Sequence, residues 1–154
     1  MSGPLLTYAA LRRVPAVALA CDAVHQGRLG RRLAVYASVR TKECKPADFD
    51  SLSLPVIALM LDALKEHPVT VAVSEVSVRT GMPAWVIVLR FASGLVGTLD
   101  IGSLLPESFP VDTEVRLEFL GTDEALLIEP DALTVRVYSA QGIQHTRCDV
   151  PAES

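Results

Sequence analysis

Few residues in this 154-residue chain have the type and spacing for chemistry. Asp48 and Asp50 flank Phe49 as a carboxylate pair, an arrangement that can serve general acid and base steps. Just upstream, Lys42 and Lys45 bracket Cys44 and would favour its thiolate. Lys42, Lys45, Asp48 and Asp50 therefore form the candidate polar pocket, although solvation in a loop and a helix-start role are the plainer readings. Asp22 and His25 stand three apart, a spacing that fits a metal or acid/base pair and equally a surface contact. His67 precedes Pro68 at a predicted helix end, where a partial positive charge is favourable. His145 and Cys148 form an HxxC with no second pair, too little for a zinc site. No glycine-rich dinucleotide or phosphate loop, HExxH or GxSxG motif is present. The sequence thus nominates no catalytic, cofactor-binding or metal-ligating residue.

Composition narrows the remaining classes. Half the residues are hydrophobic, 21% are charged and mean hydropathy is +0.36. That is too apolar for disorder and rich for a small monomer, which points to a buried interface. The net charge is −4, and Arg28, Arg31 and Arg32 only surround a turn. Nucleic acid and anionic membrane are therefore not expected partners. The run "RRVPAVALACDA" carries the parts of a signal peptide, but its apolar stretch is short and contains Pro15, so a helix is expected. Three cysteines without a CxxC argue for a reduced, cytoplasmic protein.

Those candidates must be positioned by predicted elements. Pro15 suits a first helical turn and Gly27 a helix stop, which gives a helix over 15–26. "RLAVYASVR" (32–40) reads as a strand. "TKECKPADFD" (41–50) reads as a loop, and 51–67 as a second helix with Pro55 in its first turn. That helix is apolar around most of its circumference, so deep burial is expected. Strands follow over 69–79, 84–91, 95–101 and 113–121, and then "EALLIE", "ALTVRVYS" and "IQHTRCDV". The expected fold is one α+β domain over 1–154. It has a mostly antiparallel open sheet of seven or eight strands and two main helices on one face.

The hairpin "LRFASGLVGTLDIGS" (89–103), with "PAWVIVL" before it, is apolar on both rows. In the first strand Trp85, Ile87, Leu89 and Phe91 alternate with Ala84, Val86 and Val88, with Arg90 the only charge, and in the return strand Leu95, Gly97, Leu99 and Ile101 alternate with Val96, Thr98 and Asp100. Two helices cover one sheet face and leave the other open. A large open apolar patch marks an interface. The candidate interface residues are Trp85, Ile87, Leu89, Phe91, Val88, Leu99 and Ile101, and the expected partner is a second copy of the chain.

Three passages carry a resemblance. "HQGRLGRRLAVYASVR" (25–40), the hairpin 89–103 and "VRLEFLGTDEALLIE" (115–129) resemble, in order and spacing, the C-terminal domain of Gfo/Idh/MocA-type oxidoreductases. The similarity runs over about residues 10–140. It implies an α+β domain that supplies part of a substrate pocket and oligomerises through its sheet, beside a Rossmann domain that binds NAD(P). This chain lacks that Rossmann domain, its glycine fingerprint and its EKP lysine; the nearest echo is "CKP" at 44–46. The family's D-x-G-x-H-x-x-D falls on "DFDSLSLPVIALMLD". There Asp50 can match the first Asp. The His position falls on Leu54, Pro55 or Val56, and the second Asp on Ile57, Ala58 or Leu59. None of these apolar residues transfers a proton. Glu124 replaces the second glycine of the family's "G-t-x-G".

Three readings follow. The chain is a stand-alone domain of this type, non-catalytic by itself, that self-associates. Or it is the substrate and oligomerisation half of an oxidoreductase whose Rossmann domain lies elsewhere, so that NAD(P) binds only when that domain is supplied in trans. Or it is a small-molecule sensor that uses the candidate pocket.

Overall fold

The computed structural model describes residues 7–129 and 134–147. A helix the sequence reading did not contain comes first: α1 (Tyr8–Arg13), opened by the Thr7 side chain, which accepts from the Ala10 N–H at 3.0 Å. It stops at Val14, whose backbone is extended as the following proline requires. Pro15 then starts α2 (Pro15–His25). Strand β1 (Arg32–Thr41) leads through a loop to α3 (Phe49–Leu64). The remaining elements are β2 (Pro68–Arg79), β3 (Met82–Phe91), β4 (Val96–Gly102), β5 (Thr113–Gly121), β6 (Glu124–Glu129), β7 (Thr134–Ser139) and β8 (Gly142–Arg147). Residues 130–133, which join "EALLIE" to "ALTVRVYS" and begin the latter, and Cys148 of the HxxC lie outside the described residues.

All eight strands form one sheet in the order β2-β3-β4-β1-β5-β6-β7-β8. β1 and β4 pair in parallel, and the other neighbours are antiparallel. The α+β class and the open, mostly antiparallel sheet agree with the sequence reading. The two main helices, α2 and α3, sit against it, and the short α1 packs on both of them.

The helices choose the face. Val35, Val39, Ile87, Leu89, Leu99, Ile101, Leu117 and Phe119 are almost fully buried on their side, together with Val17, Val24, Leu59 and Met60 from α2 and α3. Alternation sends Tyr36, Val86, Val88, Val96, Thr98 and Leu120 to the opposite, open face. This corrects the candidate interface. Trp85, Ile87, Leu89, Phe91, Leu99 and Ile101 are core residues beneath the helices; of the seven, Val88 alone stands on the open face. The Trp85 ring lies against Phe49 of α3, with centroids 4.9 Å apart and a 57° tilt, and that packing uses the surface a second copy would need.

The same packing moves a helix boundary. α3 begins at Phe49, which is held onto Trp85, so Pro55 falls inside the helix instead of in its first turn. α3 is also less enclosed than its composition predicts: Ser53, Val56, Leu59, Met60, Ala63 and Leu64 are buried, whereas Leu54 is 58% exposed.

Candidate functional site

The exposed stripe of α3 is the place where the sequence reading put its chemistry. Asp50, Ser51, Leu54, Pro55 and Ala58 line an open groove of about 520 Å³, closed on the other side by Thr7 and Tyr8 of the α1 start. Positions 50, 54 and 58 share one helical side by their spacing of four. Three of the residues onto which the family's His and second Asp would fall, Leu54, Pro55 and Ala58, form its wall. The groove is apolar, and Asp50 is the one ionisable carboxylate in it.

The candidate polar pocket does not assemble there. Of its four residues only Asp50 lines the groove. The Asp48 carboxylate accepts the Lys45 backbone N–H at 2.8 Å and so closes the turn before α3. Lys42 pairs with Asp112 at 3.4 Å across the neighbouring loop. Cys44 is buried: its Sγ lies 3.4 Å from the Pro83 carbonyl and 3.2 Å from Ser103 Oγ. It therefore serves to fasten the loop after β1 to the ends of β3 and β4. His25 does not pair with Asp22. Its ring Nε2 meets the Asp62 backbone carbonyl at 3.0 Å.

A polar cluster that the sequence reading missed stands at the α1–α3 contact. Asp62, in the last turn of α3, accepts from the Tyr8 hydroxyl at 2.9 Å and from Lys65 Nζ at 3.1 Å, and Arg12 Nε is 3.7 Å away. A carboxylate at a helix C-terminus meets the negative end of the dipole, and these three groups offset that. The hydrogen bonds from Lys65 and Tyr8 hold the Asp62 carboxyl below its ordinary range. The bond to Asp62 pushes the Tyr8 phenol above its own. Burial pushes the Cys21 thiol up, so it stays protonated and unreactive. The only sequence signal for this cluster is the helical spacing of Tyr8 and Arg12, which becomes visible once α1 is recognised. These contacts fasten one helix to another and leave no free acid or base.

Among the described residues no three His, Cys, Asp or Glu side chains come together as a metal site. The turn from α2 to β1, with Gly27 and Gly30, follows a helix instead of opening one. Among the described residues no glycine turn lies between a strand and a helix N-terminus, the arrangement by which a Rossmann fold holds a dinucleotide.

No sequence-family model matches the chain, and no curated protein sequence does. Solved structures do. An oxidoreductase domain protein from Kribbella flavida superposes with a TM-score of 0.71 at 17% identity, over 89% of this chain and 45% of that one. Levoglucosan dehydrogenase in complex with NADH and levoglucosan gives 0.70 at 18%, over 89% and 45%. An oxidoreductase from Agrobacterium radiobacter, in complex with NAD+, L-tartaric acid and magnesium, gives 0.71 at 13%, over 90% and 44%. The chain spans under half the length of each of these proteins and has the fold of that part of them.

Proposed function

We propose that this chain is a C-terminal-type domain of the Gfo/Idh/MocA oxidoreductases, non-catalytic by itself, that self-associates through the open face of its sheet. The observation that carries this reading is the face itself. Among the described residues no helix lies on it, and Tyr36 and Val86 stand there 44% and 40% exposed, with Val88 and Val96 beside them. Beyond β1 the same face turns polar: Arg40 is paired across strands with Glu114, and Tyr36 with Glu118, with Arg116 between. An apolar centre with a charged border of mixed sign is the anatomy of a reversible protein interface. The groove beside α3 supports the non-catalytic part, because Asp50 is the one carboxylate among its lining residues and the Tyr8 hydroxyl there is already engaged by Asp62. The free, buried Cys21 and Cys44 accord with a reducing, cytoplasmic setting.

Light scattering tests this directly. A dimer or larger species at micromolar concentration is expected, reduced by Tyr36→Lys, which keeps a partner for Glu118 and so preserves the fold. An unchanged mass in a folded Tyr36→Lys variant would place the interface elsewhere.

One observation favours a second reading, the half-enzyme. The groove at Leu54, Pro55 and Ala58 is apolar and open to solvent, and the matched oxidoreductases are about twice as long. In that case NADH binds only after a dinucleotide-binding domain is added. Fluorescence titration of this chain with NADH, alone and with such a domain, separates the two.

A further inference from the structure

The segment "PVTVAVSEVSVR" has valine at positions 69, 71, 73, 76 and 78, and so on both of its faces. As β2 it forms one edge of the sheet, and among the described residues β3 is its one neighbouring strand. Pro68 is half-buried and all eleven residues after it are exposed; the five valines are 41–64% exposed. The helix layer stops short of this strand. Val71 and Val73 point the same way as the buried Leu89 and Ile87 with which they pair, yet they meet solvent.

Proteins usually blunt such an edge with short strands, lysines, internal proline or charges aimed along it. β2 has twelve residues, no lysine, proline only at its start, and Glu75 as the one charge before its last residue. Arg79 at that end is already engaged, donating to the Leu105 carbonyl at 3.2 Å. The free backbone N–H and C=O groups of an edge are satisfied by another extended strand and by little else as regular. We infer that β2 pairs antiparallel with β2 of a second copy of this chain, about a two-fold axis through Val73 and perpendicular to the sheet.

Three features select that occupant and that register. The ladder with β3 is regular from Thr70 to Ser77 and is interrupted between Pro68 and Thr70 and between Ser77 and Arg79. A two-fold at Val73 lays residues 70–76, all within that regular run, on themselves. It sets Val71 opposite Glu75 and Thr70 opposite Val76, so residues of one sheet face meet residues of the same face and no two like charges are directly opposed. The two Glu75 carboxylates then lie four strand positions apart, about 13 Å at ~3.3 Å per residue, beyond the screening length of physiological salt. The contact is isologous and closes at two copies, whereas β2 against the far edge β8 would be open-ended. β8 is also half as long. This contact is separate from the open face proposed above and stands without it.

Cysteine cross-linking of the full chain is the test. A single Val73→Cys substitution meets its own copy across the axis and, on mild oxidation, should give a covalent dimer as its main product. Ile143→Cys, on β8 and 61% exposed, should give no more than the unsubstituted chain. Val73→Lys, opposing two ammonium groups, should weaken the edge contact by about tenfold or more in sedimentation. If Val73→Cys cross-links no better than Ile143→Cys, the pairing is overturned. Cross-linking at Ile143 with growth to long polymers would instead assign the edge to β8. Should Val73→Lys fail to fold, the cysteine result decides alone.

Discussion

At the scale of single residues, Asp62 and Gly102 show two kinds of information. The Asp62 carboxyl is held below the usual range, so its contribution to stability is present above its unfolded pKa and is lost as the pH falls through the folded one. Tyr8 is raised, so its contribution is full below the phenol's ordinary pKa and is lost as the pH climbs past it. The α1–α3 contact should hold between roughly pH 4 and 10. Because the cluster is partly exposed, the effect is about 0.5–1 kcal/mol. Thermal melts at pH 7 and pH 3 check this: the parent should lose more stability between them than Asp62→Asn, whose side chain does not titrate. Gly102 is of the other kind. Its φ of +131° and the 2.6 Å from a built Cβ to the Pro83 carbonyl and Ala84 Cα leave no room for a side chain. Gly102→Ala should cost about 2 kcal/mol or more, read as a lower urea midpoint. The sequence showed that a glycine stood at the end of a hairpin. It did not show Asp62 meeting Tyr8, because 54 residues separate them and no local pattern spans that distance.

Among the elements, those with a strong period or clear punctuation were legible. Pro15 opened α2, β5 ran over 113–121 as its alternation required, and the edge-to-edge span of β6 matched "EALLIE". α1 was not legible, since six residues make barely more than one turn and carry little period. The hairpin's alternation gives its two rows but not their surroundings. Periodicity tells which side chains share a face, and tertiary packing decides which face the helices take. Here the decision lies in the Phe49–Trp85 contact, between residues on α3 and β3. Trp85→Ala should therefore cost about 3–5 kcal/mol in fold stability, the range for emptying an aromatic core site. The stoichiometry of whatever remains folded should not change. A Trp85→Ala chain of parental stability but altered mass would return Trp85 to an interface.

For the whole molecule, the three passages that carry the family resemblance turn out to be one spatial unit. β1 pairs with β4 of the hairpin on one side and with β5 on the other. The turn before β1 touches the turn between β5 and β6: Thr122 N–H donates to the Arg31 carbonyl at 2.9 Å and Asp123 N–H to that of Leu29 at 2.8 Å. Gly121 packs so closely on Leu29 that a Cβ would come within 2.2 Å of its carbonyl oxygen. Glu124, in place of the second glycine, pairs with Arg28 at 3.2 Å and spans the same two turns. The centre of the sheet was legible because its geometry fixes residues at the turns, whereas the groove beside α3, lined by apolar side chains and Asp50, declares no reaction. Assembly then becomes the property to measure. The open face offers a two-fold lying in the plane of the sheet, and the β2 edge one perpendicular to it. Where two such axes intersect, four copies close into a tetramer. Tyr36 and Val73 lie three strands apart, roughly 14 Å at ~4.8 Å per strand, so their effects should be independent. In sedimentation at high concentration the parent should approach four chains, Tyr36→Lys two and Val73→Lys two, with the double variant a folded monomer. A Tyr36→Lys dimer that cross-links through Val73→Cys would show that the edge contact survives loss of the face. Two single variants of parental mass would remove both contacts from the molecule.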